Sequence, residues 1–216
     1  MTENFQFAKR SEKVWPYYHE VLAENSALWA DQYALTMAQA LFTSGKHDIN
    51  TTFHQYIRKN PFKGGYLLTA GQNIVLEWMK NNWKFDETDI AILHEEKVSD
   101  PKTGEMTRLY TDEFLDMLAD STFELTVDAM PEGEIAFPDE PIWRVNGPVW
   151  QCLMVEACIL NVTNSQSLFS TLTSRLCKAT EGEPVLEFGL RRAQSLGGLE
   201  SSRAAYVGGG AGTSNM

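Results

Sequence analysis

The stretch from Val185 to Met216 constrains the fold more than any other part of the chain. A short apolar run, Val185-Leu186-Glu187-Phe188-Gly189-Leu190, leads into two adjacent arginines, Arg191 and Arg192. Gly197 and Gly198 then open a helix predicted over Leu199 to Val207. After it come Gly208 to Gly210, Gly212 and the polar end Thr213-Ser214-Asn215. Strand, cationic tip, helix and glycine-rich loop make one unit of a βα array, which collects ligand contacts at its strand ends.

Ahead of that unit the chain mixes helices and strands. Pro16 interrupts any helix in the first 24 residues. Helical spacing runs from about Trp29 to Phe42, with Tyr33, Met37, Ala40 and Leu41 on one face and Gly45 as the stop. Spacing alone puts Tyr33 at the edge of a helix–core contact. Thr51 to Lys59 alternates as a strand, Phe53, Gln55 and Ile57 on one side and Thr52, His54, Tyr56 and Arg58 on the other. It runs into Arg58-Lys59-Asn60-Pro61-Phe62-Lys63-Gly64-Gly65, which reads either as a solvated turn or as an anion-binding corner.

Gln72 to Asn81 is a helix with Ile74, Val75, Trp78 and Met79 inward. Asp86 caps a second over Glu87 to Glu95, and Thr111 a third with Phe114, Leu115 and Leu118 inward. Ser99 to Gly104 is a loop. Thr122 to Ala129 alternates as a strand; a turn at Pro131-Glu132-Gly133 precedes two short strands, Ile135 to Phe137 and Ile142 to Val145. Val149 to Ala179 spans two helices with a break near Asn161 to Asn164. A composition shift at Glu181-Gly182-Glu183-Pro184 divides an α+β domain, residues 1–180, from the strand–helix unit, residues 181–216. The fold class is α/β.

A net charge of −11 argues against a nucleic-acid partner, whose affinity rests on cations facing phosphates. It leaves room for small phosphorylated ligands, provided a site concentrates its few cations locally. No apolar stretch is long enough to span a bilayer, and the N-terminus lacks a secretion signal. Cys152, Cys158 and Cys177 are odd in number and lack CxxC spacing, so they read as free thiols of a cytoplasmic protein. The run from Gly208 lacks the lysine of a P-loop, and Thr213 stands where GxGxxG needs glycine. GxSxG and HExxH are absent. His19, His47, His54 and His94 share no metal-ligand spacing, so no metal site is expected.

Six segments occur in a telling order: Asp31-Gln32-Tyr33-Ala34-Leu35-Thr36-Met37, Tyr56 to Tyr66, Pro131-Glu132-Gly133-Glu134, Glu187-Phe188-Gly189-Leu190-Arg191-Arg192-Ala193-Gln194, Ser202-Arg203-Ala204-Ala205-Tyr206 and Gly212-Thr213-Ser214-Asn215. Together they closely resemble nicotinate phosphoribosyltransferase from about Trp29 to Met216. The resemblance implies an N-terminal α+β domain followed by the beginning of an irregular α/β barrel of the type II phosphoribosyltransferase kind. It implies a homodimer that joins nicotinate to phosphoribosyl pyrophosphate, coupled to hydrolysis of ATP with Mg. The product, nicotinate mononucleotide, is the first step of NAD biosynthesis from nicotinate.

Carried over residue by residue, Phe188 covers one face of the pyridine and Tyr33, from the second subunit, the other. Arg191 meets the nicotinate carboxylate or a substrate phosphate, and Arg58 and Lys59 approach phosphoribosyl pyrophosphate. Arg203 either joins them or pairs with a nearby acid. Ser214 stands where the nicotinamide-using relative has aspartate. A hydroxyl can donate to a carboxylate that an aspartate would repel, so Ser214 favours the acid as substrate.

The family's phosphorylated histidine lies shortly beyond Gly-Thr-Ser-Asn, and no histidine follows His94 here. A complete barrel takes about 250 residues, so a fragment carrying no catalytic residue, inactive by itself, is expected. A non-catalytic dimerising or binding module and a nicotinamide-using relative stay open beside it.

Overall fold

Asp86 and Thr111 start helices because their side chains accept from backbone N–H groups that a first turn leaves unpaired. Asp86 takes Thr88 and Asp89 N–H, and Asp89 returns the bond to Asp86 N–H in a capping box. Thr111 takes Phe114 N–H. Gly45 stops the first helix at φ +66, where a Cβ would be strained.

A computed structural model describes residues 27–194 and 197–214, so the reading around Pro16 lies outside the described residues. In chain order the elements are α1 (Gln32–Thr43), β1 (Asn50–Tyr56), a 3-10 turn (Pro61–Lys63), β2 (Leu67–Leu68), α2 (Gln72–Asn82) and α3 (Glu87–Glu95). Then follow β3 (Lys97–Ser99), β4 (Met106–Arg108), α4 (Asp112–Ala119), β5 (Thr126–Ala129), β6 (Ile135–Ala136) and β7 (Pro141–Pro148). Last come α5 (Val149–Ala179), β8 (Leu186–Glu187), a 3-10 turn (Leu190–Arg192), α6 (Gly197–Val207) and β9 (Gly212–Thr213).

The chain forms two discontinuous compact units. Among the described residues the first takes 27–49 with 77–124 and 148–155; the second takes 50–76, 125–147, 156–194 and 197–214.

In the first unit Trp83 lies edge-on to Phe123, at 5.3 Å between ring centres, and 6.0 Å from Trp150. Phe114 meets Phe42 at 5.8 Å and stacks on Tyr110. On α1 the buried residues are Ala34, Leu35 and Ala38. Tyr33, Met37 and Ala40 are exposed, so the face that spacing groups together points outward. The loop expected over Ser99 to Gly104 connects an antiparallel hairpin, β3 on β4, whose two short strands the sequence reading does not contain.

The second unit holds a sheet in the order β1-β7-β5, with β5 antiparallel to β7. β2 pairs antiparallel with β6. The expected break in Val149 to Ala179 does not occur: α5 is one helix of 31 residues. It contains no glycine or proline, and its polar residues are engaged sideways instead of capping an end. Thr163 Oγ1 accepts from Trp143 Nε1. Ser167 and Thr171 hydroxyls accept from Ala70 and Leu68 N–H, and Ser170 donates to Leu68 O. These hydroxyls are buried and hydrogen-bonded, as burial of polar groups requires.

Candidate functional site

The chain from 185 to 214 folds as β8, α6 and β9, with the two strands parallel and in register Leu186 to Gly212 and Glu187 to Thr213. Parallel strands need such a crossover. Ala211 N–H donates to Val185 O and Ser214 N–H to Glu187 O, extending the pairing at both ends. α6 packs closely: a Cβ on Gly208 would stand 2.4 Å from Ser170 O, and one on Gly198 2.6 Å from Leu190 Cδ1. Glycine at both positions is what permits this approach.

At the strand ends the carboxylate of Glu187 ties three segments together. Its Oε2 accepts from Ser202 Oγ on α6 at 2.9 Å and from Thr213 Oγ1 on β9 at 3.1 Å. Its Oε1 accepts from Gly189 N–H, which pins the turn immediately after Phe188. Phe188 itself is 60% exposed. Arg191 sits in the exposed 3-10 turn Leu190–Arg192, and Ser214 is exposed at the end of β9. Beside them a cavity of about 330 Å³ is walled by Phe169, Leu172 and Leu176 of α5, Val185, Arg192 and Ala205 among others.

Phe188, Arg191 and Ser214 thus belong to the two strand ends of one βαβ unit. Tyr33, 49% exposed, belongs to the other compact unit. Arg58 and Lys59 are exposed in the bend that follows β1. Arg203 takes the plainer of its two readings: Nη2 donates to Glu132 Oε2 at 2.7 Å. Glu132 also accepts from Gly71 N–H and from the Asn73 backbone and amide, at the start of α2. Burial pushes the Glu132 carboxyl up, but these donors and the Arg203 charge outweigh it and hold it below the usual carboxylate range.

The sequence reading gave Glu187 no role. An acid in the middle of an apolar run just before an aromatic was the available signal. Among the described residues no group of three His, Cys, Asp or Glu could hold a metal ion, and no helix is long and apolar enough to cross a membrane.

A parallel strand pair bridged by a helix, with an aromatic ring and cations at the strand ends, gives an α/β fold of the type II phosphoribosyltransferase kind. Comparison with known proteins narrows this. The chain belongs to the nicotinate phosphoribosyltransferase family: the family model for the nicotinate phosphoribosyltransferase N-terminal domain matches residues 28–164. The Caenorhabditis elegans nicotinate phosphoribosyltransferase is 38% identical over 191 residues, covering 88% of this chain and 32% of that protein. The Bacillus subtilis enzyme is 31% identical over 194 residues, with 89% and 37% covered. The crystal structure of human nicotinic acid phosphoribosyltransferase superposes with a TM-score of 0.74 at 32% identity, over 86% of this chain and 36% of that one. The chain spans about a third of the length of the curated relatives it matches.

Proposed function

We propose that these residues are the nicotinate-holding part of an enzyme that joins nicotinate to phosphoribosyl pyrophosphate, in the first step of NAD biosynthesis from nicotinate. The observation that carries the reading is Phe188, whose ring stays open to solvent at a strand end, beside the Glu187 carboxylate that pins the turn after it. An aromatic ring kept out of the core in that place suits a flat ligand. The pyridine nitrogen is unprotonated at neutral pH, so the nucleophile needs no general base. What the protein must do is hold the ring against the anomeric carbon and neutralise a departing pyrophosphate.

In this proposal Phe188 covers one face of nicotinate and Tyr33 of a partner subunit the other. Arg191 meets the carboxylate or a phosphate, and Ser214 donates its hydroxyl to the carboxylate. Arg58 and Lys59 approach phosphoribosyl pyrophosphate, whose charge suits guanidinium and ammonium groups. ATP and Mg enter our proposal as reactants of the coupled reaction, engaged by residues other than those described. Cys152, Cys158 and Cys177 form no disulfide with one another, which suits a reducing, cytoplasmic setting.

The test is ligand-detected NMR on the 216-residue chain with nicotinate, nicotinamide as control, and the variants Phe188→Ala and Arg191→Ala. Binding of nicotinate that both variants abolish supports the reading; no preference for nicotinate over nicotinamide overturns it. The same polypeptide alone is expected to form no nicotinate mononucleotide, and measurable product would refute that part. A second reading, a dimerising module without catalysis, is favoured by the exposed Tyr33, Met37 and Ala40 face of α1. A dimer by ultracentrifugation, dispersed by Met37→Glu, together with no ligand binding would select it.

A further inference from the structure

The loop after β1 is folded around a guanidinium. Arg175, on α5, lies against two rings of this loop, its Cζ 5.8 Å from the centre of Phe62 and 5.6 Å from that of Tyr66. Its Nη1 donates to Phe62 O at 3.2 Å. The neighbouring Ser174 hydroxyl and Tyr66 OH are hydrogen-bonded at 3.0 Å. A Cβ on Gly64 would fall 0.9 Å from Arg175 Nη2, so only glycine leaves room for that side chain. Phe62 and Lys63 both have positive φ, 56° and 54°. Two successive residues with side chains in that region are uncommon and persist only where their surroundings over-determine them.

The loop carries Arg58, Lys59 and Lys63, all exposed. Among the described residues none of the three, nor Arg175, has a carboxylate within ion-pair distance. Asp139, whose N–H donates to Ile57 O, stays outside that distance from Arg58. Four unneutralised cations in one place stand out in a chain of net charge −11. Such local concentration lets an acidic protein draw in a polyanion.

We propose that Arg175 is a positioning residue: it is the template that holds the 58–66 loop in its left-handed turn and so presents Arg58, Lys59 and Lys63 to an oligophosphate of the pyrophosphate class. This rests on the reading above in which Arg58 and Lys59 face phosphoribosyl pyrophosphate. Arg175 acts through the loop as much as through charge, so lysine, which keeps the charge but lacks the planar fork that reaches Phe62 O and both rings at once, does not replace it.

The test is calorimetric titration of the 216-residue chain with inorganic pyrophosphate at low salt, with amide NMR shifts of Lys63 and Gly65 as the local readout. Arg175→Met and Arg175→Lys are both expected to weaken binding by about tenfold, a difference of roughly one decade in Kd. Gly64→Ala alters no charge but displaces the guanidinium, and is expected to weaken binding similarly; it decides the matter should the Arg175 variants fail to fold. Full binding by folded Arg175→Lys and Gly64→Ala overturns the positioning role and leaves the phosphate reading standing. Absence of pyrophosphate binding by the unaltered chain overturns both.

Discussion

Arg203 Nη2 and Glu132 Oε2 are 2.7 Å apart, with the Glu132 side chain 10% exposed and that of Arg203 36%. The carboxylate is thereby the junction of three segments: the turn after β5, the first turn of α2, and α6. Arg203→Ala leaves it short of its countercharge while still largely buried. The expected loss is about 2 kcal/mol in urea unfolding, below the ~3–5 of a fully buried pair because the guanidinium is partly solvated.

The same pair sets a pH dependence. The Glu132 carboxyl is held below its usual range in the folded chain. Its contribution is therefore complete above the unfolded value of about 4.3 and disappears as pH falls through the folded one. The stability gap between the unaltered chain and Arg203→Ala should be widest at neutral pH and narrow in acid. A gap that stays constant from pH 7 to pH 3 would contradict the assignment.

Phe188 and Phe114 are the same residue type in opposite circumstances, one 60% exposed and the other fully buried. Phe114→Ala is expected to cost about 3–5 kcal/mol, as large core truncations do. Phe188→Ala should stay within about 0.5 kcal/mol of the unaltered chain. Equal losses in denaturant titrations would put Phe188 in the core and end its role as a ring platform.

The hydroxyl face of α5 is testable at Thr171, whose Oγ1 accepts from the buried N–H of Leu68 at 2.8 Å. Thr171→Val keeps the shape and removes the acceptor. Stranding that amide should lower unfolding stability by about 1–3 kcal/mol. Faster hydrogen exchange at Leu68 is the local sign to look for.

Ser214→Asp probes substrate choice. In a full-length family protein carrying this segment, the new carboxylate would repel nicotinate and accept from an amide. Competition between nicotinate and nicotinamide should move toward nicotinamide, and unchanged selectivity would refute the role given to Ser214.

Local chemistry made much of the fold legible. Asp86, Thr111 and Gly45 act within a turn of themselves, so their helices begin and end as the sequence predicts. α5 did not read as one helix because Asn161-Val162-Thr163-Asn164 resembles a break until Trp143 and β2 supply partners for its hydroxyls. Strands β3 and β4 are exposed on every residue, so they carry no alternation to read. On α1 the spacing says which side chains share a face but not which face turns inward. The small residues Ala34 and Ala38 are buried, and the larger Tyr33 and Met37 are not.

At the candidate site the family resemblance names Phe188, Arg191 and Ser214, and the fold puts all three at the ends of β8 and β9. Glu187 was not legible, because its partners Ser202 and Thr213 lie 15 and 26 residues away. Only the crossover of β8, α6 and β9 brings those hydroxyls to one carboxylate.

The 71 residues that separate Glu132 from Arg203 also impose an order of events during synthesis. At roughly 5–20 residues per second the ribosome delivers the arginine about 4–14 s after the glutamate. For that interval the acid has backbone donors within reach but no cation. The nascent chain can seat the start of α2 early, while the grip on α6 closes only after its last turns have emerged.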